Sequence, residues 1–157
     1  MTNLQNYTQL LKRRPDAIAK LQGNRDHPNL RGTVQFYTVK GGILIAAEIK
    51  CLPETETNFF GFHIHEGCSC TGNQDDPFYN ALTHYNPNKT PHPAHAGDLP
   101  PLTGNNGYAY SVFLTNRFEV KEILGRTIIV HSKPDDFTTQ PAGNAGTKIA
   151  CGVICPA

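Results

Sequence analysis

The stretch GTVQFYTVKGGILIAAEI, residues 32–49, decides the fold class. Its two halves, residues 32–39 and 43–49, are rich in β-branched and aromatic residues, which favour extended strands. Between them stands Gly41-Gly42, a dipeptide typical of tight hairpin turns because glycine adopts positive φ at little steric cost. The stretch therefore predicts two antiparallel strands joined by a hairpin.

Outward from this hairpin the same kind of pattern recurs. Strand structure begins at Ala17, and further strand-like segments lie at residues 59–65, 108–114, 118–123, 127–130 and 148–154. About eight short strands separated by turns are typical of an antiparallel sandwich or barrel. We expect one all-β domain over residues 15–157, preceded by a polar N-terminal extension, residues 1–14, with a short helix around residues 3–11.

Two segments do not have strand character. Residues 66–102 and 132–146 are long and rich in Pro, Asn and Gly. Ordered loops of this length inside a compact domain usually carry function. We therefore expect the chemistry of the protein to lie in these two loops.

Chain length, net charge and hydrophobic runs limit the kinds of partner and location to expect. The chain has 157 residues, enough for one domain, and its net charge of +1 gives no reason to expect nucleic acid or a membrane surface as a partner. No apolar run is long enough to span a bilayer. No apolar segment follows Lys12, Arg13 and Arg14, so we expect no signal peptide and a cytoplasmic location. A periplasmic or secreted location would apply if a signal had been removed, and a monomer and a homodimer are both compatible with the sequence.

Six of the seven histidines lie in or beside the two loops. His63 and His65 stand two apart in a predicted strand, so both imidazoles project from one face. The segment from residue 84 to 98 adds His84, His92, His95 and Asp98, and His131 ends another predicted strand. Such a set exceeds the needs of one four-coordinate metal, whereas two ions sharing a ligand would use it fully. His27, in a separate Asp-His-Pro segment, is expected to be a plain turn residue.

Four segments resemble the signatures of bacterial-type copper–zinc superoxide dismutases, in the order found in that family. They are GFHIHE (61–66), GDLP (97–100), VHSKPDDF (130–137) and GNAGTKIACGV (143–153). The resemblance extends from about residue 17 to 154. It implies an eight-stranded Greek-key β-barrel whose two long loops form a copper and zinc site, with superoxide as the substrate.

The resemblance also implies a role for each site residue. His63, His65 and His131 would bind copper, His84 would bridge copper and zinc, and the zinc site would be completed by His92, His95 and Asp98. Asp135 would join His63 to His92, since a ligating imidazole needs its other N–H held. The chain has five cysteines, and Cys70 is favoured over Cys68 as the disulfide partner of Cys151, while Cys51 and Cys155 have no implied role.

Two departures from the family pattern bear on activity. Lys148 stands where the family has arginine. Lysine keeps the positive charge but lacks the planar set of N–H donors of the guanidinium group. Only Pro93 and Ala94 separate His92 from His95, so the zinc loop is shortened. We expect reduced but real superoxide dismutase activity, in which copper changes oxidation state, His84 carries a proton and Lys148 draws in the anion.

Two other functions account for part of the same residue pattern. A non-catalytic copper and zinc module, serving as a store or carrier on the same fold, is favoured by Lys148 and the extra cysteines. A zinc-only hydrolase with Asp98 or Glu66 as base is the weaker hypothesis. It leaves His63, His65 and His131 with no role for a redox-inert metal beyond structure.

Overall fold

The computed structural model describes residues 8–157 and shows an all-β protein. Only residues 8–10 of the predicted N-terminal helix are helical there, and residues 3–7 of that helix lie outside the described part. The strands are β1 (Ala17–Gly23), β2 (Arg31–Val39), β3 (Gly42–Lys50), β4 (Phe59–Phe60), β5 (Phe62–His65), β6 (Leu102–Thr103), β7 (Tyr108–Thr115), β8 (Thr127–His131) and β9 (Lys148–Pro156).

Seven of these strands form one antiparallel sheet in the order β5-β8-β9-β1-β2-β3-β7, and β4 pairs separately with β6. The order places strands side by side that are distant in sequence, as Greek-key connections do. Strand β6 packs beside β7, and β4 leads directly into β5, so the sheet curls around a core that includes Phe36, Ile45 and Ile64. The predicted all-β fold is confirmed.

The hairpin predicted at residues 32–49 forms as expected, with Val39 opposite Gly42. Gly41 and Gly42 have φ of +95° and +150°, and a Cβ on Gly42 would lie 2.2 Å from the carbonyl oxygen of Thr115. Glycine is therefore required at the turn. The outer face of this hairpin is also covered, because Leu10 and Leu11 from the N-terminal segment pack around Tyr37.

Two predicted strands differ in the structure. Residues 118–123 contain a helical turn, α1 (Val120–Ile123), rather than a strand. The Glu122 carboxylate accepts a hydrogen bond from the Glu119 N–H at 2.6 Å, which stabilises a helix start locally. The predicted strand 59–65 is divided at Gly61, whose N–H and C=O bond to Lys133 and His131 instead of continuing one ladder.

A disulfide attaches the first of the two long loops to β9. Cys70 and Cys151 form this bond, as predicted, so Cys68 remains an exposed free thiol together with Cys51 and Cys155. The first loop also contains a 3₁₀ turn, Tyr79–Ala81. Within residues 8–157, no helix has the length and apolar character needed to cross a bilayer.

Candidate metal centre

Strand β5 organises the site through the backbone of one residue. Ile64 donates to the Gly97 carbonyl at 2.9 Å and accepts from the Tyr85 N–H at 2.8 Å, and Gly97 in turn donates to Tyr85 at 2.8 Å. Both ends of the segment from residue 85 to 97 are thus held against the strand between His63 and His65. This arrangement brings His84 opposite His65 and Asp98 opposite His63.

The first ligand group contains the three strand histidines and His84. One ring nitrogen from each lies within 4.8 Å of the others, and all four side chains are buried. His65 Nδ1 donates to the Leu82 carbonyl at 2.8 Å, and His131 Nδ1 faces the Gly146 carbonyl at 3.4 Å. With a proton on each Nδ1, the Nε2 atoms of His65 and His131 present lone pairs to each other at 3.2 Å. A cation between them would turn this repulsion into coordination.

The second ligand group shares His84 with the first and adds His92, His95 and Asp98. His84 Nδ1 lies 2.7 Å from Asp98 Oδ1, so its other nitrogen, Nε2, faces the first group. Asp98 Oδ2 lies 3.1 Å from His92 Nδ1 and 3.4 Å from His95 Nδ1. Three imidazoles and one carboxylate around one point are a donor set typical of zinc.

Several buried nitrogens in the two groups have no hydrogen-bond partner among the described residues: His63 Nδ1, His84 Nε2, His92 Nδ1 and His95 Nδ1. Burying a polar atom without a partner is costly, and proteins rarely tolerate four such atoms together. Their convergence fits metal ligands. The all-imidazole group suits copper, and the mixed group suits zinc.

Asp135 links the two groups from behind. Its Oδ2 accepts from His63 Nε2 at 2.7 Å, and its Oδ1 accepts from His92 Nε2 at 2.8 Å and from the Phe137 N–H at 2.7 Å. Both imidazoles therefore keep the Nδ1 lone pair free for a metal. Gly143, with φ +67°, makes room for this contact, because a Cβ there would lie 2.1 Å from Asp135 Oδ1.

The protonation states also suit metal binding. Burial lowers the pKa of His63 and His95, and it lowers the pKa of His65 and His131 well below the ordinary value. Burial opposes ionisation of Asp98, yet the hydrogen bond from His84 and the neighbouring histidines hold the pKa of Asp98 below its usual range. At neutral pH these four imidazoles are neutral and the Asp98 carboxylate is charged, which are the forms that bind metals.

Lys148 pairs with His131 across the β8–β9 ladder and lies at the mouth of the first ligand group. A cleft of about 460 Å³ there is lined by Lys148, His65, His84 and His131. The Lys148 ammonium donates to Asp76 Oδ2 at 2.6 Å and to the Phe78 carbonyl at 3.2 Å. Sequence reasoning did not identify Asp76, because no spacing signal connects residues 72 positions apart.

The segment from His92 to Asp98 has two supports that the sequence did not reveal. Arg117 Nη1 lies within 3.1 Å of three backbone carbonyls, those of Pro93, His95 and Asp98. The Gln140 side chain both accepts from the His92 N–H at 2.9 Å and donates to the His92 carbonyl at 2.7 Å. These contacts tie the backbone around His92, His95 and Asp98 to residues outside the segment.

Glu66 and His27 lie outside both groups. Glu66 is exposed, and its backbone N–H bonds to the Thr83 carbonyl. His27 occupies a turn with its Nδ1 2.9 Å from Asn24 Oδ1, at the rim of the cleft.

Comparison with known proteins agrees with this geometry. The sequence profile of the family described as "Copper/zinc superoxide dismutase (SODC)" matches residues 30–154. The chain is 35% identical over 139 residues to "Superoxide dismutase [Cu-Zn] 1" of Aquifex aeolicus, covering 78% of this chain and 79% of that protein. It is 34% identical over 141 residues to "Superoxide dismutase [Cu-Zn]" of Deinococcus radiodurans, covering 78% and 76%. The solved structure of "Cu/Zn superoxide dismutase from Brucella abortus" is similar with a TM-score of 0.74 and 28% identity, covering 87% of this chain and 98% of that one.

Proposed function

The chain belongs to the copper/zinc superoxide dismutase family, and on that premise we propose that it converts superoxide to dioxygen and hydrogen peroxide. The observation that carries the proposal is the convergence of buried imidazole nitrogens on two adjacent points that share His84. The family implies copper and zinc, and the two donor sets suit them in that order. Copper supplies one-electron chemistry when bound, and zinc is redox-inert.

Each ligand has a distinct duty in this proposal. His63, His65, His84 and His131 would hold copper, and His84, His92, His95 and Asp98 would hold zinc. His84 Nε2, buried and facing the first group, is the atom that can hold a proton and pass it to the departing peroxide.

The positions of His63 and His92 are maintained through Asp135, which accepts a hydrogen bond from each. Because one carboxylate accepts from both imidazoles, a displacement of either one would move Asp135 and so shift the other. Lys148, at the mouth of the cleft, is the cation beside which superoxide would pass.

The test is superoxide consumption by protein loaded with copper and zinc. We expect catalysed decay in wild type and its loss in His131→Ala, which removes one ligand of the first group. The matched control is His27→Ala, a histidine outside both groups, which should retain the wild-type rate. A fully loaded wild-type protein that leaves the decay rate unchanged would refute the proposal.

One observation favours a second candidate, a copper and zinc module without turnover. The ammonium of Lys148 is occupied by the Asp76 carboxylate rather than free to receive an anion. A module of this kind would load both metals with normal stoichiometry and would not consume superoxide. Metal analysis and the decay assay on one sample therefore separate the two candidates.

A further inference from the structure

The ion pair between Lys148 and Asp76 is partly shielded from water. The two side chains retain only 15% and 34% of their exposure, and their charged atoms are 2.6 Å apart. Charges that are partly removed from water interact more strongly than those on an open surface. A carboxylate this close cancels most of the field that Lys148 would project into the cleft.

The position of Asp76 is set by its own loop. Asp76 Oδ1 accepts from the Phe78 N–H at 3.0 Å, which leaves Oδ2 for the lysine. Asn73 Oδ1 accepts from the Asp76 N–H at 2.9 Å, and the Asn73 N–H donates to the Asp76 carbonyl at 3.0 Å. Phe78 packs with Ile129 and Cys151 beside the disulfide. The carboxylate is thus presented to Lys148 by a segment anchored on the same strand, β9.

The remaining charges of the cleft do not compensate. Its lining contains two cations, Arg25 and Lys148, and three carboxylates, Asp26, Asp75 and Asp76. The Arg25 guanidinium is itself directed to the Gln74 carbonyl at 2.7 Å and lies 3.9 Å from Asp26. The side chains of the cleft therefore carry no surplus of positive charge with which to attract an anion.

We propose that Asp76 limits anion access to the first ligand group by pairing with Lys148, so that this carboxylate sets how strongly the site attracts a small anion. The inference rests on the proposed function, in which that anion is superoxide. It makes Asp76 a positioning residue that acts through Lys148 and has no contact of its own with the metal ligands.

The experiment measures the affinity of azide for copper- and zinc-loaded protein, followed by the visible absorption of copper. Asp76→Asn keeps the shape of the side chain and removes its charge. We expect azide to bind about three- to tenfold more tightly, the size of one unit charge acting across a cleft at intermediate dielectric. The rate of superoxide consumption should also fall more steeply with added salt than in wild type. A merely structural role for Asp76 would not increase anion affinity.

Two further variants make the test specific. Asp75→Asn removes the same charge from the same cleft without touching Lys148, and it should change azide affinity by a smaller factor. In the Lys148→Met background no ammonium is released, so Asp76→Asn should give a gain no larger than that of Asp75→Asn. Unchanged or weaker azide binding in fully loaded Asp76→Asn, an equal effect of Asp75→Asn, or the full gain of Asp76→Asn persisting without Lys148 would each overturn the proposal. Absence of superoxide consumption in wild type would refute the proposed function, whereas the azide comparison would still report on Asp76.

Discussion

Replacement of Asp135 by asparagine should weaken zinc binding much more than copper binding. The carboxylate accepts from two imidazoles and one backbone N–H, whereas an amide offers a single acceptor oxygen. One imidazole N–H must then face the amide NH₂, donor against donor. That imidazole relieves the clash by moving its proton to Nδ1, the atom that faces the metal, and it can no longer bind there.

Which imidazole loses its metal-binding Nδ1 lone pair depends on which metal binds its imidazole more tightly. Cu²⁺ binds nitrogen sites more tightly than Zn²⁺, so copper retains His63 and the loss falls on His92. One hydrogen bond to a charged group contributes about 1.5–3 kcal/mol, which corresponds to roughly 10- to 100-fold in zinc affinity. Copper affinity should change by no more than about threefold on the same reasoning.

The assay is a competition titration of zinc against a chromophoric chelator, with copper-loaded protein as the sample. The adjacent Asp136→Asn is the matched control, because Asp136 is exposed and accepts from Thr138 and Thr139 without touching a histidine. Zinc affinity within about threefold of wild type in Asp135→Asn would show that the shared carboxylate does not set the tautomers, and the reasoning would fail.

Three further predictions concern other parts of the centre. Arg117→Gln should weaken zinc binding about five- to tenfold, because three carbonyls lose their shared donor. The control is Arg31→Gln, at an exposed position. Equal zinc affinities of the two variants would show that Arg117 does not support the zinc group. Cu²⁺ placed in both groups should give a magnetically coupled spectrum through His84, and two independent signals would show that the imidazole is not shared. In metal-free protein, burial lowers the pKa of His65 and His131, so these two imidazoles take up protons below about pH 6.5 in the unfolded chain and stay neutral in the folded one. The free energy of unfolding should therefore fall as pH drops from 6.5 to 5, with a shallower slope in His131→Asn, as followed by urea midpoints; a flat profile would argue against burial as the cause.

Features with a local origin could be predicted from the sequence. The hairpin around Gly41-Gly42 follows from turn chemistry, and the two-residue spacing of His63 and His65 follows from strand geometry. Ligand chemistry and motif order indicated both metal groups, and the structure brings all seven predicted ligands together. The disulfide partner of Cys151 was also predicted correctly.

Residues 118–123 were predicted as a strand from their composition, but a local cap at Glu119 and the packing of Ile123 in the core favour a helical turn. Features that depend on distant contacts could not be predicted. Asp76 and Arg117 act through hydrogen bonds to residues far along the chain or to backbone carbonyls, and neither interaction leaves a pattern in spacing. Only the fold determines that Lys148 encounters a carboxylate.

The backbone of Ile64 also bears on how this protein can tolerate insertions. Because Tyr85 and Gly97 are both bonded to this one residue, the intervening chain leaves the strand and returns to it at fixed points. Added or deleted residues within that excursion would shift His92 and His95 and would leave His63, His65 and His84 in place. Such a division would allow the segment that carries His92 and His95 to change in length while the all-imidazole group keeps its geometry.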